Sequence, residues 1–135
     1  MEYKTDIENI DSLHLEGFFE GWSTHPDKEG LLDILKNSSR RIIAIEDSRV
    51  VGFITAVTDG SFSAYIPLLE VLPEYRERGI GSDLVKKMLE TLADFYMVDV
   101  VCDEALNGFY EKFGMKKANA MSIRNYQNRS GKNIV

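Results

Sequence analysis

Two runs dense in β-branched residues, Arg41-Ile42-Ile43-Ala44-Ile45-Glu46 and Val50-Val51-Gly52-Phe53-Ile54-Thr55-Ala56-Val57, flank Asp47-Ser48. Such residues suit a pleated, half-buried surface and the residues between them supply turn chemistry, so the pair predicts a β-hairpin. A hairpin cannot bury its apolar face alone, and what surrounds it decides the fold class. Downstream, Ile80, Leu84, Val85, Met88, Leu89 and Leu92 recur at helical spacing, with Lys86, Lys87 and Glu90 on the other face. Met97 to Cys102 reads as a strand, Glu104 to Phe113 as a helix ending at Gly114, and Lys116 to Arg124 as a final strand. Upstream, Tyr3 to Ile7 predicts a short strand. Asp11 or Ser12 caps a helix carrying Leu13, Leu15, Phe18 and Phe19 that ends near Gly21. Asp27 then precedes a second short helix with Leu31, Leu32, Ile34 and Leu35, closed by Asn37-Ser38-Ser39. Alternating strands and helices predict an α/β fold, a mixed sheet covered by helices.

One strand is unusual. The run Phe62 to Leu72 reads as the third strand of the sheet, yet Pro67 inside it cannot donate a ladder hydrogen bond. A bulge, an edge or a place where strands part is expected there.

No repeat, low-complexity tract or flexible linker interrupts the 135 residues, which suit one compact domain over 1–125 followed by a polar tail over 126–135. That tail, with Asn128-Arg129-Ser130-Gly131-Lys132-Asn133, is expected to be frayed or tied down only by a partner. With 44% hydrophobic and 28% charged residues and no long apolar span, a soluble protein is expected, without membrane contact. The first residues lack the basic flank and apolar stretch of a secretory signal, which points to the cytoplasm. A net charge of −6 opposes attraction to nucleic acid or anionic membranes and mildly favours cationic substrates. The single cysteine, Cys102, excludes an internal disulfide and reads as a buried structural thiol. His14 and His25 have no metal-ligand spacing, and no metal site is argued.

Chemistry concentrates at Arg76-Glu77-Arg78-Gly79-Ile80-Gly81-Ser82. The helix from Gly79 follows a strand and a loop, so its first-turn N–H groups and dipole face whatever sits at that junction. Gly79 and Gly81 let an oxygen approach the backbone, Ser82 offers a hydroxyl, and Arg76 and Arg78 supply charge, so phosphate is the natural guest. The dinucleotide fingerprint fails because Leu84 stands at its third glycine, and the P-loop fails because no Gly-Lys-Ser or Gly-Lys-Thr is present. Nor is there a Gly-x-Ser-x-Gly elbow for a serine hydrolase.

The segment Val71 to Gly81, with Arg76-Glu77-Arg78-Gly79-Ile80-Gly81, resembles the fingerprint of the GNAT superfamily of N-acetyltransferases: Arg or Gln, two residues, Gly, one residue, then Gly or Ala. A second family segment appears about thirty residues later as Phe109-Tyr110-Glu111-Lys112-Phe113-Gly114-Met115. The resemblance runs from about Arg41 to Arg124, and the first forty residues share only the pattern of two short helices.

The resemblance implies a GNAT-like, mostly antiparallel central sheet with a splayed strand pair, flanked by helices. It implies acetyl-CoA as cosubstrate, its pyrophosphate cradled by Arg76, Arg78, Gly79, Ile80, Gly81 and Ser82, and its pantetheine arm paired to the main chain of Leu69 and Val71. Pro67 then marks where the strands separate. The implied reaction is direct attack on the thioester by a primary amine of a small molecule or protein. Glu70, at the end of the strand beside the implied thioester, is the candidate base, directly or through water, against the alternative that it only faces solvent or an arginine. The resemblance places Tyr110 by the CoA sulfur, as donor to the leaving thiolate. N–H groups near Val71 would serve the oxyanion. Trp22 is the candidate wall of the acceptor pocket, while Phe18 and Phe19 can equally be core. Two departures bear on the cofactor contacts: Asp103 stands where many members have Asn, and Met115 replaces the usual Phe. A non-catalytic acyl-CoA-binding or regulatory module with the same fold is the alternative. A homodimer is a further expectation of the resemblance.

Overall fold

The structure is a computed structural model that describes residues 1–132. Its sheet carries six strands: β1 (Glu2–Lys4), β2 (Arg40–Glu46), β3 (Arg49–Thr58), β4 (Ser63–Ile66), β5 (Leu69–Val71) and β6 (Met97–Val100). The helices are α1 (Lys28–Asn37), α2 (Ile80–Thr91) and α3 (Asn107–Glu111). The order is β1-β2-β3-β4-β6, with β5 also on β3; every pairing is antiparallel except β4 with β6. This is the mixed, mostly antiparallel α/β sheet expected.

The hairpin forms as its residues predict. Asp47 and Ser48 take φ of 52° and 61°, the paired left-handed conformation whose twist matches two antiparallel strands. β3 is the spine of the core: Val50 to Ala56 are all buried, so both sheet faces are covered. On one face, a Cβ at Gly52 would meet Ile80 and Leu84 at 3.3 Å, which shows how closely α2 lies on the sheet. On the other, Phe53 meets Phe18 with ring centroids 5.0 Å apart, edge to face.

Four local expectations are corrected. The helix read over residues 11–21 is only a 3-10 turn, Ser12–His14, capped reciprocally by Asp11 and His14. Gly17, Phe19 and Gly21 all have positive φ (92°, 64° and 87°), a conformation that no right-handed helix contains. Phe18 and Phe19 are buried all the same, held by Phe53 rather than by a helix. The run Phe62–Leu72 splits into β4 and β5 around Pro67, though both lie antiparallel to β3. The helix read over 104–113 is a 3-10 turn, Glu104–Leu106, followed by the short α3, with Gly114 turning the chain away at φ 88°. Residues 116–124 form no strand: they lie outside the sheet, with Met121 and Ile123 99% and 95% exposed.

The tail is tied to its own chain. Tyr126–Asn128 make a 3-10 turn, Arg129 lies over the Trp22 ring at 5.2 Å, and the Lys132 ammonium bonds Asp27. The remainder of the expected tail, from residue 133 to Val135, lies outside the described residues. Among those described, no helix is long and apolar enough to cross a membrane.

Candidate active site

The sheet opens where Pro67 interrupts it. β4 pairs with β6 as far as Ile66 and Val100; beyond, among the described residues, β5 keeps only β3 as a partner. Thr55 N–H donates to Leu68 O at 3.1 Å and Leu72 N–H to Val51 O at 2.9 Å, so the even-numbered residues bond β3. Alternation then turns the backbone groups of Leu69 and Val71 outward. Val71 O already accepts from Arg76 Nε at 3.0 Å. The Val71 N–H and both backbone groups of Leu69 are left for a guest.

The gap is a groove of about 600 Å³. β5 forms one wall, with Leu69, Glu70 and Val71; Leu106, Phe109 and Tyr110 from the 3-10 turn and α3 form another; the loop and first turn of α2 close the end. Gly79 caps α2 at φ 82°, a conformation that costs a side-chain-bearing residue energy, and Glu77 adopts φ 64° in the same loop. The N–H groups of Ile80, Gly81 and Ser82 have no preceding turn to bond and face the groove's end, as an anion site requires. A Cβ on Gly81 would touch Phe109 and Val71 at 3.9 Å, so its absence leaves room between the two walls.

Two titratable groups in this groove, Tyr110 and Glu70, are shifted from their ordinary values. Tyr110 is only 6% exposed; burial foremost, and then the neighbouring Cys102, raise its pKa. Its phenol therefore stays protonated through the neutral range and can donate a proton. Burial also raises the Glu70 carboxyl above the ordinary carboxylate range, with Arg76 opposing the shift. A carboxylate so adjusted is a stronger base than one in water.

Most of the sequence candidates converge: Glu70, Tyr110, Leu69, Val71, Arg76, Gly79, Ile80, Gly81 and Ser82 all line the groove. Arg78 does not; its guanidinium lies over the Tyr75 ring at 4.9 Å. Nor does Trp22, which lines a separate cleft of about 440 Å³ formed by residues from Leu15 to Leu31. Asp103 is exposed and outside the lining, while Cys102 is half-buried with its Sγ 3.6 Å from Asn107 Oδ1. Tyr75, Glu77, Leu106 and Phe109 were not among the candidates. Leu106 and Phe109 were legible in principle, standing four residues and one residue before Tyr110, but nothing in the sequence marks Tyr75 or Glu77.

Fold and site together define an α/β protein with an opened strand edge that leads to the N-terminus of a helix. The comparisons say which one. A profile of the Acetyltransferase (GNAT) family matches residues 7–115, and the chain belongs to that family. The chain is 28% identical over 123 residues to the uncharacterized N-acetyltransferase ycf52 of Pyropia yezoensis, covering 85% of this chain and 70% of that one. Among solved structures, a candidate acetyltransferase from Deinococcus radiodurans R1 is 42% identical, with a TM-score of 0.92 over 96% of this chain and 91% of its own. The fold is shared more distantly with AAC(6')-Iy in complex with the bisubstrate analog CoA-S-monomethyl-acetylneamine, at 18% identity and a TM-score of 0.67 over 92% of this chain and 96% of that one.

Proposed function

We propose that this chain transfers an acetyl group from acetyl-CoA to a primary amine of a small molecule or protein by direct attack, in the cytoplasm. The observation that carries the reading is the free outer edge of β5 running into the first turn of α2, with Tyr110 on the facing wall. An amide-bearing pantetheine arm fits such an edge as an added strand, and a pyrophosphate fits the helix end. Family membership and the CoA-derived analog bound by AAC(6')-Iy support the same donor.

Acetyl-CoA supplies an activated thioester; the chain supplies position and protons. Leu69 and the Val71 N–H hold the donor, and the helix end with Arg76 offsets its charge. An alkylamine of pKa about 10 must lose a proton before it attacks, and Glu70 accepts it directly or through water. As the amine nitrogen bonds the carbonyl carbon and the C–S bond breaks, Tyr110 gives its proton to the departing thiolate. The outward N–H groups of β5, those of Leu69 and Val71, are also the ones available to stabilise the oxygen that gains charge. The measurement is CoA thiol release with acetyl-CoA and a panel of amines, polyamines, aminoglycosides and peptides. Release with any amine supports transfer; tight acetyl-CoA binding with no release from the whole panel leaves a non-catalytic acyl-CoA-binding module.

The exposed residues 116–124 support a homodimer. Met121 and Ile123 stand two residues apart, both almost fully exposed, and among the described residues β6 is the last strand of the sheet. A second copy offers the strand partner and apolar cover that its own chain does not.

A further inference from the structure

The C-terminal segment reaches two residues that line the cleft beside Trp22. Arg129 places its guanidinium 5.2 Å from the centre of the Trp22 ring and 5.6 Å from that of Tyr126, and Lys132 sets its ammonium on Asp27. Two cations three residues apart thus meet an aromatic ring and a carboxylate that both also line a cavity of about 440 Å³.

Both receiving groups are held in place without the tail. Asp27 caps α1: its Oδ1 accepts the Gly30 N–H at 2.8 Å, which leaves Oδ2 directed at a cation. Trp22 packs on the buried Phe19 with ring centroids 4.9 Å apart, and its backbone N–H donates to Phe19 O at 3.2 Å, so the residue is held from within its own loop. Glu16 is already neutralised by Lys28 at 2.9 Å, whereas Glu20 at the cleft wall adds a further negative charge. The tail, by contrast, is weakly attached. Lys132 and Asp27 are 61% and 49% exposed, and a pair so exposed contributes little to stability. Residues 116–124 before it lie outside the sheet. Contacts so exposed are readily exchanged for those of a ligand carrying the same two charges.

The cleft and the groove are separate cavities, linked through packed side chains of the core. Phe19 contacts Phe53 at 6.3 Å, and Phe53 stands opposite Glu70 in the β3–β5 register, so both side chains leave the same face of the sheet. We propose that the Trp22–Asp27 cleft binds the distal cations of a dicationic amine, and that Arg129 and Lys132 are a built-in competitor for that site. The inference rests on the acetyltransferase reading in one respect only, that the bound amine is the acceptor. The recognising chemistry is one cation on an indole face and a second on a carboxylate. A free polyamine and a basic peptide segment both supply it.

Trp22 is the sole tryptophan, so its emission reports the cleft directly. Full-length protein and the double variant Arg129→Gln/Lys132→Gln are titrated with spermidine and, separately, with an amidated Arg-Ser-Gly-Lys peptide. Removing the competitor is expected to lower the apparent Kd about fivefold or more for at least one of them, the size expected if the tail's cations hold Trp22 and Asp27 most of the time. Adding Asp27→Asn, which keeps the helix cap but removes the charge, is expected to abolish that binding. The ligand that responds identifies the source. Equal or weaker binding by the double variant, or unchanged Trp22 emission with both ligands, overturns the proposal. Thermal stabilisation by acetyl-CoA is read on the same samples. Its absence defeats the donor assignment and leaves the cation result standing, whereas its presence without a cation response defeats only the cleft.

Discussion

Tyr110 and Val71 belong to opposite walls of one groove, and they meet there because β5 has lost β6 as a neighbour while α3 turns Tyr110 inward. Neither wall is a site alone. β5 offers uncommitted backbone, and α3 offers a buried phenol that keeps its proton.

Tyr110→Phe keeps the ring and removes the proton. The turnover number is expected to fall by roughly a hundredfold, the low end of what a positioned acid contributes, with acetyl-CoA affinity nearly unchanged. Steady-state kinetics beside a binding titration separates the two effects. An equal loss of affinity would make Tyr110 a wall residue only.

Glu70→Gln tests the base through pH. Burial raises the Glu70 pKa, so its carboxyl is protonated and idle at low pH, and the rate should rise with pH through that raised value. Gln should lower the rate by about tenfold or more and flatten this acidic limb. Stability moves the other way. A carboxyl whose folded pKa is raised favours the native state most below its unfolded pKa, and that contribution is lost as pH rises through the folded value. The Gln variant should therefore melt slightly higher than the parent at neutral pH, by calorimetry at matched buffer.

Gly81→Val fills the space between Phe109 and Val71, each of which a Cβ would already touch at 3.9 Å. We expect acetyl-CoA affinity to drop about tenfold, a loss of about 1.4 kcal/mol, with little change in melting temperature of the free protein. Isothermal titration and a melting curve without ligand check the two halves. Gly79→Ala differs: its positive φ makes the cost of about 1 kcal/mol appear in the unliganded fold as well.

Met121→Lys/Ile123→Lys places charge on the two most exposed apolar side chains of residues 116–124. Light scattering after size exclusion should show a dimer for the parent and a monomer for the variant. A parent that runs as a monomer at every concentration rejects this interface.

What the sequence determined by itself is what local physics can specify. The hairpin, α1 and α2 were legible because β-branched runs, turn residues, caps and helical periodicity act over a few residues. The anion end of the groove was legible for the same reason, since Arg76 to Ser82 carry their geometry within one loop. Pro67 announced the break in the strand, because a missing N–H is a property of the residue. Tertiary structure decided the rest. Phe18 and Phe19 leave the helical pattern because burial against Phe53 outweighs local preference. Residues 116–124 show strand-like spacing without a strand, because a strand exists only where another edge bonds it. The separation of Trp22 from the groove, the attachment of Lys132 to Asp27 and the meeting of Glu70 and Tyr110 across one gap all join residues far apart in the chain. Such contacts depend on how packed elements close over a shared core, and no short window of sequence contains them.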